Sequence, residues 1–479
     1  MPARSTTAPP NEVSPARVEA LQILCRVEED QAFADLALDA ALERARLPRR
    51  DRALATELVY GTLRWQRRLD WILAPHSRRP LDRLDPRVRN LLRLTAYQLQ
   101  FLQRVPDWAA VNDAVTLARH LPATGTRAGA RPSLRKPGVA DRPGGAPVGN
   151  PAPFVNAVLR SLTRQGGALP PLPQDPLEAV ATRLAFPSWL ARRWAERLGL
   201  DEAERLMTAL DERPPVTVRV NLLRCAREAL AERLAEEEEV ASRPTVYAPD
   251  GLVLDRPGHL SLFRSFSEGW FTVQDEASML VGYLLDPQPG ETVADLCAAP
   301  GTKTTHLAQL MKNSGRLVAV DPHPARLRLV ARAAERLGTR IVETHAGTAE
   351  VVAAKQTERF DRVLVDAPCS NLGVLRRNPD AKWRRVEADL LRLQGRQRAI
   401  LEAGATMVRP GGALVYATCS LEPEENEAVV EPFLARRQEW ILDPPAAFPI
   451  PLSPPGMLRC LPHRHGTDGF TAFLLRRQK

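Results

Sequence analysis

Two cysteines sit where a thiol is available for chemistry. Phe360-Asp-Arg-Val-Leu-Val-Asp366 runs into Ala-Pro-Cys369-Ser370, and Gly412-Ala-Leu-Val-Tyr-Ala-Thr418 runs into Cys419-Ser420. A lone cysteine is usually a small buried hydrophobe. At the end of an apolar run, in a polar loop flanked by Pro, Ser and Thr, it reads instead as a functional group. A third stretch, Val293-Ala-Asp-Leu-Cys-Ala-Ala-Pro-Gly-Thr-Lys303, carries an apolar run into a Pro-Gly turn and then a helical pattern. That is the form of a strand ending in a binding loop. The helix expected from Thr302 to Met311 opens with unpaired backbone N–H groups, which favour an anionic or polar ligand. Arg316-Leu-Val-Ala-Val320 reads as a second buried strand, and it ends on Asp321. An acid about twenty residues past the first turn is where doubly wound folds hold a ribose hydroxyl pair.

The loop is A-x-P-G-x-K, with neither G-x-G-x-x-G nor G-x-x-x-x-G-K-[ST], so a pyrophosphate cradle is poorly supported. A cofactor with a ribose and adenine but no phosphates, such as S-adenosylmethionine, fits better than NAD or ATP. Taken alone, the loop leaves a cofactor site and a plain α/β turn equally open. The elements around it alternate from Gln274 onward: a helix, the two strands above, a third strand from Arg340 to Glu343, a fourth from Phe360 to Asp366 and a fifth from Gly412 to Thr418. In open α/β sheets ligands bind outside the carboxyl ends of the strands, which lets Asp321, Asp366, Cys369 and Cys419 face one crevice.

Upstream, the chain changes character several times. Residues 1–13 read as a disordered start, and successive amphipathic helices follow to about 121. Leu54, Leu58, Gly61 and Trp65 share a face that Leu69, Ile72 and Leu73 continue, and Val111, Ala114, Val115 and Ala118 repeat the spacing. From Pro122 to Asn150 there are five prolines, six glycines, four arginines and a lysine against one aspartate, with no aromatic residue. Such a segment cannot bury enough surface to offset its ordering entropy and is expected to be a disordered insertion. Val155, Val158, Leu159 and Leu162 then line one further helix. The bundle thus spans 14–168, a Pro-rich linker 169–176, and a small α+β module 177–272. In the module, Ser188 is expected to cap a helix that Gly199 stops, and Asp201 and Glu204 have capping-box spacing. Val216, Val218, Val220 and Leu222 alternate with Thr217, Arg219 and Asn221, the pattern of a half-buried strand with a polar outer face. Residues 273–479 form the α/β domain.

Composition bounds the rest. No run of about 18 uncharged apolar residues suits a transmembrane helix, and Met1–Pro10 lacks the apolar core of a secretion signal. The six cysteines lie far apart with no C-x-x-C, so no metal or disulfide framework is expected and a reducing cytoplasm is. The net charge of +9 and pI near 9.6 fit a polyanionic partner such as nucleic acid. With arginine preferred over lysine almost everywhere, the same charge also fits a nucleotide-composition bias. Two of the six lysines, Lys303 and Lys382, fall in the stretches singled out here, where a compact point charge suits better than a planar fork.

At Asp366-Ala-Pro-Cys-Ser370, and at Thr418-Cys-Ser420 followed by Glu422-Pro-Glu-Glu-Asn426, the sequence resembles the RNA cytosine-C5 methyltransferases. Within them it resembles the bacterial small-subunit rRNA methyltransferase B family (RsmB, also called Sun or Fmu). Phe154-Val-Asn-Ala-Val-Leu-Arg160, Gln274-Asp-Glu-Ala-Ser278 and Gly373-Val-Leu-Arg-Arg-Asn-Pro-Asp-Ala-Lys-Trp383 extend the match over nearly the whole chain. The resemblance implies an N-terminal all-α, NusB-like RNA-binding domain and a C-terminal Rossmann-like methyltransferase domain. It implies a monomeric enzyme that methylates C5 of a cytosine in 16S ribosomal RNA with S-adenosylmethionine. The residues it implies for the cofactor are Cys297, Ala298, Ala299, Pro300, Gly301, Thr302 and Lys303, with Asp321 and Asp366; at Cys297 the backbone matters more than the thiol. Cys419 maps to the nucleophile, Cys369 to the thiol that assists later steps including product release, Asp366 to the group that holds the base, and Lys303 to one that polarises the site.

That chemistry needs these residue types. C5 of cytosine is too weak a nucleophile to take the methyl group until a thiolate adds at C6 and turns the ring into an enamine-like species. Two departures stand out. The family loop is A-P-G-G-K, where this chain has Thr302 for the second glycine. The family also places an aspartate near the adenine after the third strand, where this chain reads His345-Ala-Gly-Thr-Ala349 and Thr348 takes the position. Two other readings compete: a non-catalytic RNA-binding assembly factor, and the same chemistry on transfer RNA.

Overall fold

The computed structural model describes residues 13–45, 47–121 and 149–479. The expected disordered start and insertion lie outside the described residues, apart from Val13, Gly149 and Asn150. The chain divides into two compact units: one runs to Met207 and includes Asn378–Arg384, and the other comprises Thr208–Arg377 and Arg385–Lys479.

The first unit is helical: Pro15–Glu29, Ala34–Ala45, Arg49–Arg64, Gln66–Leu73, Pro86–Phe101, Asp107–His120 and Ala152–Arg164. Their starts follow from local chemistry, as at Pro86, whose missing N–H suits the first helical position while Asp85 accepts from Arg87 N at 2.8 Å. The predicted stripes become the core: Leu58, Leu69, Ile72, Leu73, Ala114, Val155, Val158, Leu159 and Leu162 are all buried.

The expected module from 177 is divided. Its helices Pro176–Arg183 and Ser188–Leu198, and Leu200–Asp211 as far as Met207, belong to the first unit, while its sheet belongs to the second. Ser188 is the first helical residue rather than the cap: Pro187 takes that position and Ser188 Oγ donates to Glu178 at 3.0 Å. Gly199 does end the helix, at φ 82°. Lys382 is also in the first unit, fully buried with its ammonium 3.7 Å from the centre of the Phe186 ring.

In the second unit four short strands, β1 (Val216–Val220), β2 (Ser242–Pro244), β3 (Gly251–Leu254) and β4 (Phe271–Val273), form an antiparallel sheet in the order β2-β3-β1-β4. The large sheet comprises β5 (Thr292–Leu296), β6 (Arg316–Asp321), β7 (Val342–Ala346), β8 (Phe360–Asp366), β9 (Val408–Thr418), β10 (Trp440–Leu442), β11 (Met457–Cys460) and β12 (Phe470–Arg477). Its order is β10-β12-β9-β8-β5-β6-β7, with β11 pairing β12. From β9 to β7 all neighbours are parallel, whereas β12 runs antiparallel to β9. Apolar residues alternate between the two faces: Ala294, Leu296, Val363, Val365, Leu414 and Tyr416 feed one core, and Val293, Leu364, Ala413, Val415 and Ala417 the other. A strand buried on both faces is nearly continuous in apolar residues, which is why these runs stood out in the sequence. The third strand lies two residues later than expected and at the sheet edge, where Glu343, Thr344 and His345 are exposed.

A further expectation is overturned. The polar face of β1 is not solvated: Thr217, Arg219 and Asn221 are each no more than 3% exposed. Arg219 donates to the Thr302 carbonyl at 2.8 Å and to Thr305 Oγ1 at 3.0 Å, and Asn221 Nδ2 to the Leu337 carbonyl at 2.8 Å. The face is polar because it docks on helix ends of the α/β domain, where buried donors and acceptors must be matched. Desolvation pulls the Arg219 guanidinium down to about 10, a cost its hydrogen bonds and Asp250 offset. Among the described residues no helix is long and apolar enough to cross a membrane.

Candidate active site

β5 and β8 are neighbours whose connections leave in opposite directions, so their carboxyl ends form the switch point of the sheet. After β5 the chain turns through Cys297, at φ 67°, and Gly301, at φ 104°, into the helix Thr302–Leu310. Gly301 is required twice over: its φ disfavours other residues, and a Cβ there would meet Val330 Cα at 2.9 Å. Thr302, the departure from the family loop, lies one residue later with helical backbone, where a side chain is tolerated. The loop is pinned by Ala298 N donating to the Val320 carbonyl at 2.9 Å and by Arg326 donating to the Ala299 carbonyl at 3.0 Å.

Asp321 ends β6 beside this loop, 1% exposed, accepting from His323 N at 2.9 Å with Arg326 3.5 Å away. Thr348 caps the helix Ala349–Ala353, its Oγ1 accepting from Val351 N at 3.4 Å, a role that an aspartate would also fill. Burial, with Asp366 and Asp295 adding to it, pushes the Cys297 thiol up to about 12. The loop thus offers backbone, small apolar side chains and one carboxylate, with Lys303 already engaged. That donor set suits a nucleoside without phosphates and fits S-adenosylmethionine.

Asp366, at the end of β8, receives the Lys303 ammonium at 2.8 Å. Burial alone would pull Lys303 down, but the Asp366 carboxylate more than offsets it and holds the ammonium above the ordinary lysine range. Asp366 stands opposite Ala417 in the β8–β9 register. This register brings the two cysteine loops together, and the Sγ atoms of Cys369 and Cys419 lie 2.9 Å apart. The hydrogen bond with Cys369, then burial and the nearby Asp366, raise the Cys419 thiol well above its usual value, while Lys303 pulls the other way.

Sequence reasoning missed the groups that hold this pair. Glu425 is fully buried and accepts from Ser370 N at 2.8 Å, from Gln397 Nε2 at 3.0 Å and from the hydroxyls of both Ser370 and Ser420. One carboxylate therefore clasps the residues after both cysteines. Its signal was the Glu422–Asn426 run after T-C-S, in which nothing distinguished Glu425 from its neighbours. Arg385 donates to the Cys369 and Ser370 carbonyls at 3.2 and 3.0 Å. Asn371, at φ 66°, turns its side-chain oxygen to Cys419 Sγ at 3.0 Å and Cys369 Sγ at 3.5 Å. Gly373 and Gly469 close the loop: Gly373 N donates to the Cys419 carbonyl at 2.9 Å, and a Cβ on Gly373 would meet the Gly469 oxygen at 2.3 Å.

These motifs and this fold meet in known proteins. The 16S rRNA methyltransferase RsmB/F model matches residues 282–476, the NusB family model 14–128, and a ferredoxin-like domain model of RsmF/B-like methyltransferases 186–261. A protein of Bacillus subtilis named "Probable ribosomal RNA small subunit methyltransferase B" is 36% identical over 467 residues, 96% of this chain and 98% of its own. The chain belongs to the RsmB/F methyltransferase family. Among solved structures, PH0851 superposes with a TM-score of 0.78 at 29% identity over 99% of this chain and all of its own. NSun6 from Pyrococcus horikoshii, solved with SFG, gives 0.56 at 26% identity over 62% of this chain and 99% of its own. The family's cofactor is S-adenosylmethionine, in keeping with the phosphate-free loop.

Asp295 lies within β5, fully buried, with Thr304 Oγ1 donating to it at 2.6 Å. Burial pushes its carboxyl up to about 7, opposed by the Thr304 hydrogen bond. A carboxyl that holds its proton more tightly folded than unfolded destabilises the fold at high pH. The penalty is full above about 7 and fades as pH falls toward the unfolded value near 4. Its ceiling is on the order of 4 kcal/mol at 1.36 kcal/mol per pH unit. Asp295→Asn should therefore stabilise the second unit against urea at pH 8 by about 2 kcal/mol or more, with the gain shrinking at pH 5. A difference independent of pH would show that the carboxyl titrates normally.

Proposed function

We propose that this chain methylates C5 of a cytosine in 16S ribosomal RNA through a covalent bond between Cys419 and C6 of the base. The observation that carries this reading is the 2.9 Å approach of two thiols beside a Lys303–Asp366 ion pair, at the switch point that also carries the cofactor loop. A structural pair of core cysteines has no use for a clasp such as Glu425 or for a buried ion pair at its side.

In this mechanism Asp366 accepts hydrogen bonds from the base and Lys303 offers its proton-rich head to the charge that develops on the ring. The Cys419 thiol first gives up its proton to solvent; the thiolate then adds to C6, and the π pair of the C5–C6 bond moves toward C5. Residues 297–303 and Asp321 would hold S-adenosylmethionine, which would supply the electrophilic methyl group and leave as the neutral thioether. C5 then carries both hydrogen and methyl. Removal of that proton lets the C–H pair re-form the double bond and expel the Cys419 thiolate. Cys369 suits the role of base at this step, because its sulfur adjoins the sulfur that leaves. The name of the Bacillus subtilis relative supports small-subunit rRNA as the substrate.

Bisulfite sequencing of all stable RNAs from a deletion strain and its complemented parent tests the reading. One 16S cytosine should lose its protection from conversion and regain it on complementation. Loss confined to transfer RNA, or no loss, would overturn the assignment.

Asp321 supplies an independent check on the cofactor. Asp321→Ala should weaken S-adenosylmethionine binding by roughly 1.5–3 kcal/mol, the range for hydrogen bonds to a charged group. Unchanged affinity by calorimetry would remove Asp321 from the ribose site.

A further inference from the structure

Among the described residues Asn371 is the side chain that hydrogen-bonds to both thiols, and the mechanism proposed for Cys419 gives it no role. Its backbone is fixed on either side. Ser370 is held by Glu425 and Arg385, and the Asn371 carbonyl accepts from Val374 N at 3.2 Å. A φ of 66° is one that glycine and asparagine accept most readily, so the backbone alone explains a Gly or an Asn. It does not explain why the amide is aimed at the sulfurs. Oδ1 faces Cys419 Sγ at 3.0 Å and Cys369 Sγ at 3.5 Å, while Nδ2 makes no hydrogen bond among the described residues. The amide can therefore turn over about its terminal torsion, which is broad and roughly two-fold, without giving up a bond from Nδ2.

We propose that Asn371 is a further catalytic group: its oxygen holds the Cys419 thiol in the resting enzyme, and its Nδ2, once turned inward, donates to the Cys419 thiolate. The proposal rests on Cys419 being the attacking sulfur. A carboxamide suits such a site because it carries an acceptor and a donor on one planar group, so a half-turn matches either protonation state of the sulfur. The charged and titratable groups facing Cys419 are Cys369 from the loop after β8, Asp366 at the end of β8 and Lys303 in the first turn of the helix after β5. Asp366 and the second thiol both oppose a thiolate, and Lys303 is shared with Asp366. A neutral donor thus adds stabilisation without a further ion to desolvate.

The test is the rate of carbamidomethylation at Cys419, read by peptide mapping of the full chain with iodoacetamide between about pH 6 and 10, the range around the thiol reference value. In that reaction the sulfur forms a bond to carbon, iodide leaves with the C–I pair, and the thiol proton passes to buffer, so the rate follows the thiolate. Asn371→Gly keeps the backbone conformation and removes the amide. It should slow alkylation at pH 7.5 about tenfold, equivalent to about 1.4 kcal/mol, and move the profile to higher pH. Asn371→Asp, which can only accept and repel, should slow it further. In methylation assays both variants should lose kcat with KM for RNA unchanged. Faster or unchanged alkylation in Asn371→Gly would overturn the proposal, since the amide would then only lock the thiol or do nothing. If Cys419→Ala still methylates, the nucleophile reading fails while the effect of Asn371 on Cys419 alkylation persists, so the two failures are distinguishable.

Discussion

Cys419→Ala should leave a folded protein that binds RNA and S-adenosylmethionine and transfers no methyl group. Replacing a small, largely buried thiol with a methyl typically costs about 1–2 kcal/mol, too little to unfold a unit with two extensive apolar cores. The catalytic loss is of another order. Without the sulfur, C6 has no partner, C5 keeps the low nucleophilicity of free cytosine, and the rate should fall by about a thousandfold or more, as when other covalent nucleophiles are removed. No protein–RNA adduct should form with this variant on a denaturing gel. Retained methylation at even a tenth of the parent rate would exclude Cys419 as the nucleophile.

The sequence made the sheet legible because its strands are buried on both faces, and so the runs at Val293, Leu317, Val363 and Leu414 are short, apolar and bounded by turns. Asp321 and Asp366 were legible because a polar residue that closes such a run stands at a strand end, and Cys369 and Cys419 because each lies in the loop that follows one. What sequence order hides is adjacency. Cys369 and Cys419 are separated by fifty positions, and only the pairing of Asp366 with Ala417 shows that the loops after β8 and β9 share one space. Arg219 fails for a different reason. Strict alternation in β1 gives two faces but does not say that the polar one is dry, because burial of an arginine depends on acceptors supplied 83 residues away by Thr302. Glu425 and Asn371 were hidden because their roles lie in which way a side chain points, and a run of glutamates or an Asn beside a Cys-Ser pair looks like any solvated loop.

Cys369→Ala should separate the two thiols most clearly, because it removes a later step and leaves the first intact. Cys419 still adds to C6 and C5 still receives its methyl group, but the C5 proton must depart before the double bond can re-form and expel the sulfur. With the adjoining sulfur gone, the complex should accumulate at that point. Incubated with target RNA and S-adenosylmethionine, Cys369→Ala should give a band that survives heat and detergent, disappears on RNase treatment, and holds most of the enzyme after a single turnover. Cys419→Ala/Cys369→Ala should give none, which ties the adduct to the one remaining sulfur. The Glu425 clasp makes the experiment readable: Ser370 and Ser420 stay bonded to the same carboxylate whichever thiol is removed, so neither loop is freed by the substitution. An adduct from Cys419→Ala but not from Cys369→Ala would exchange the two roles. Full turnover without an adduct in Cys369→Ala would mean that the C5 proton leaves to another base, and the 2.9 Å approach of the sulfurs would then need a different purpose.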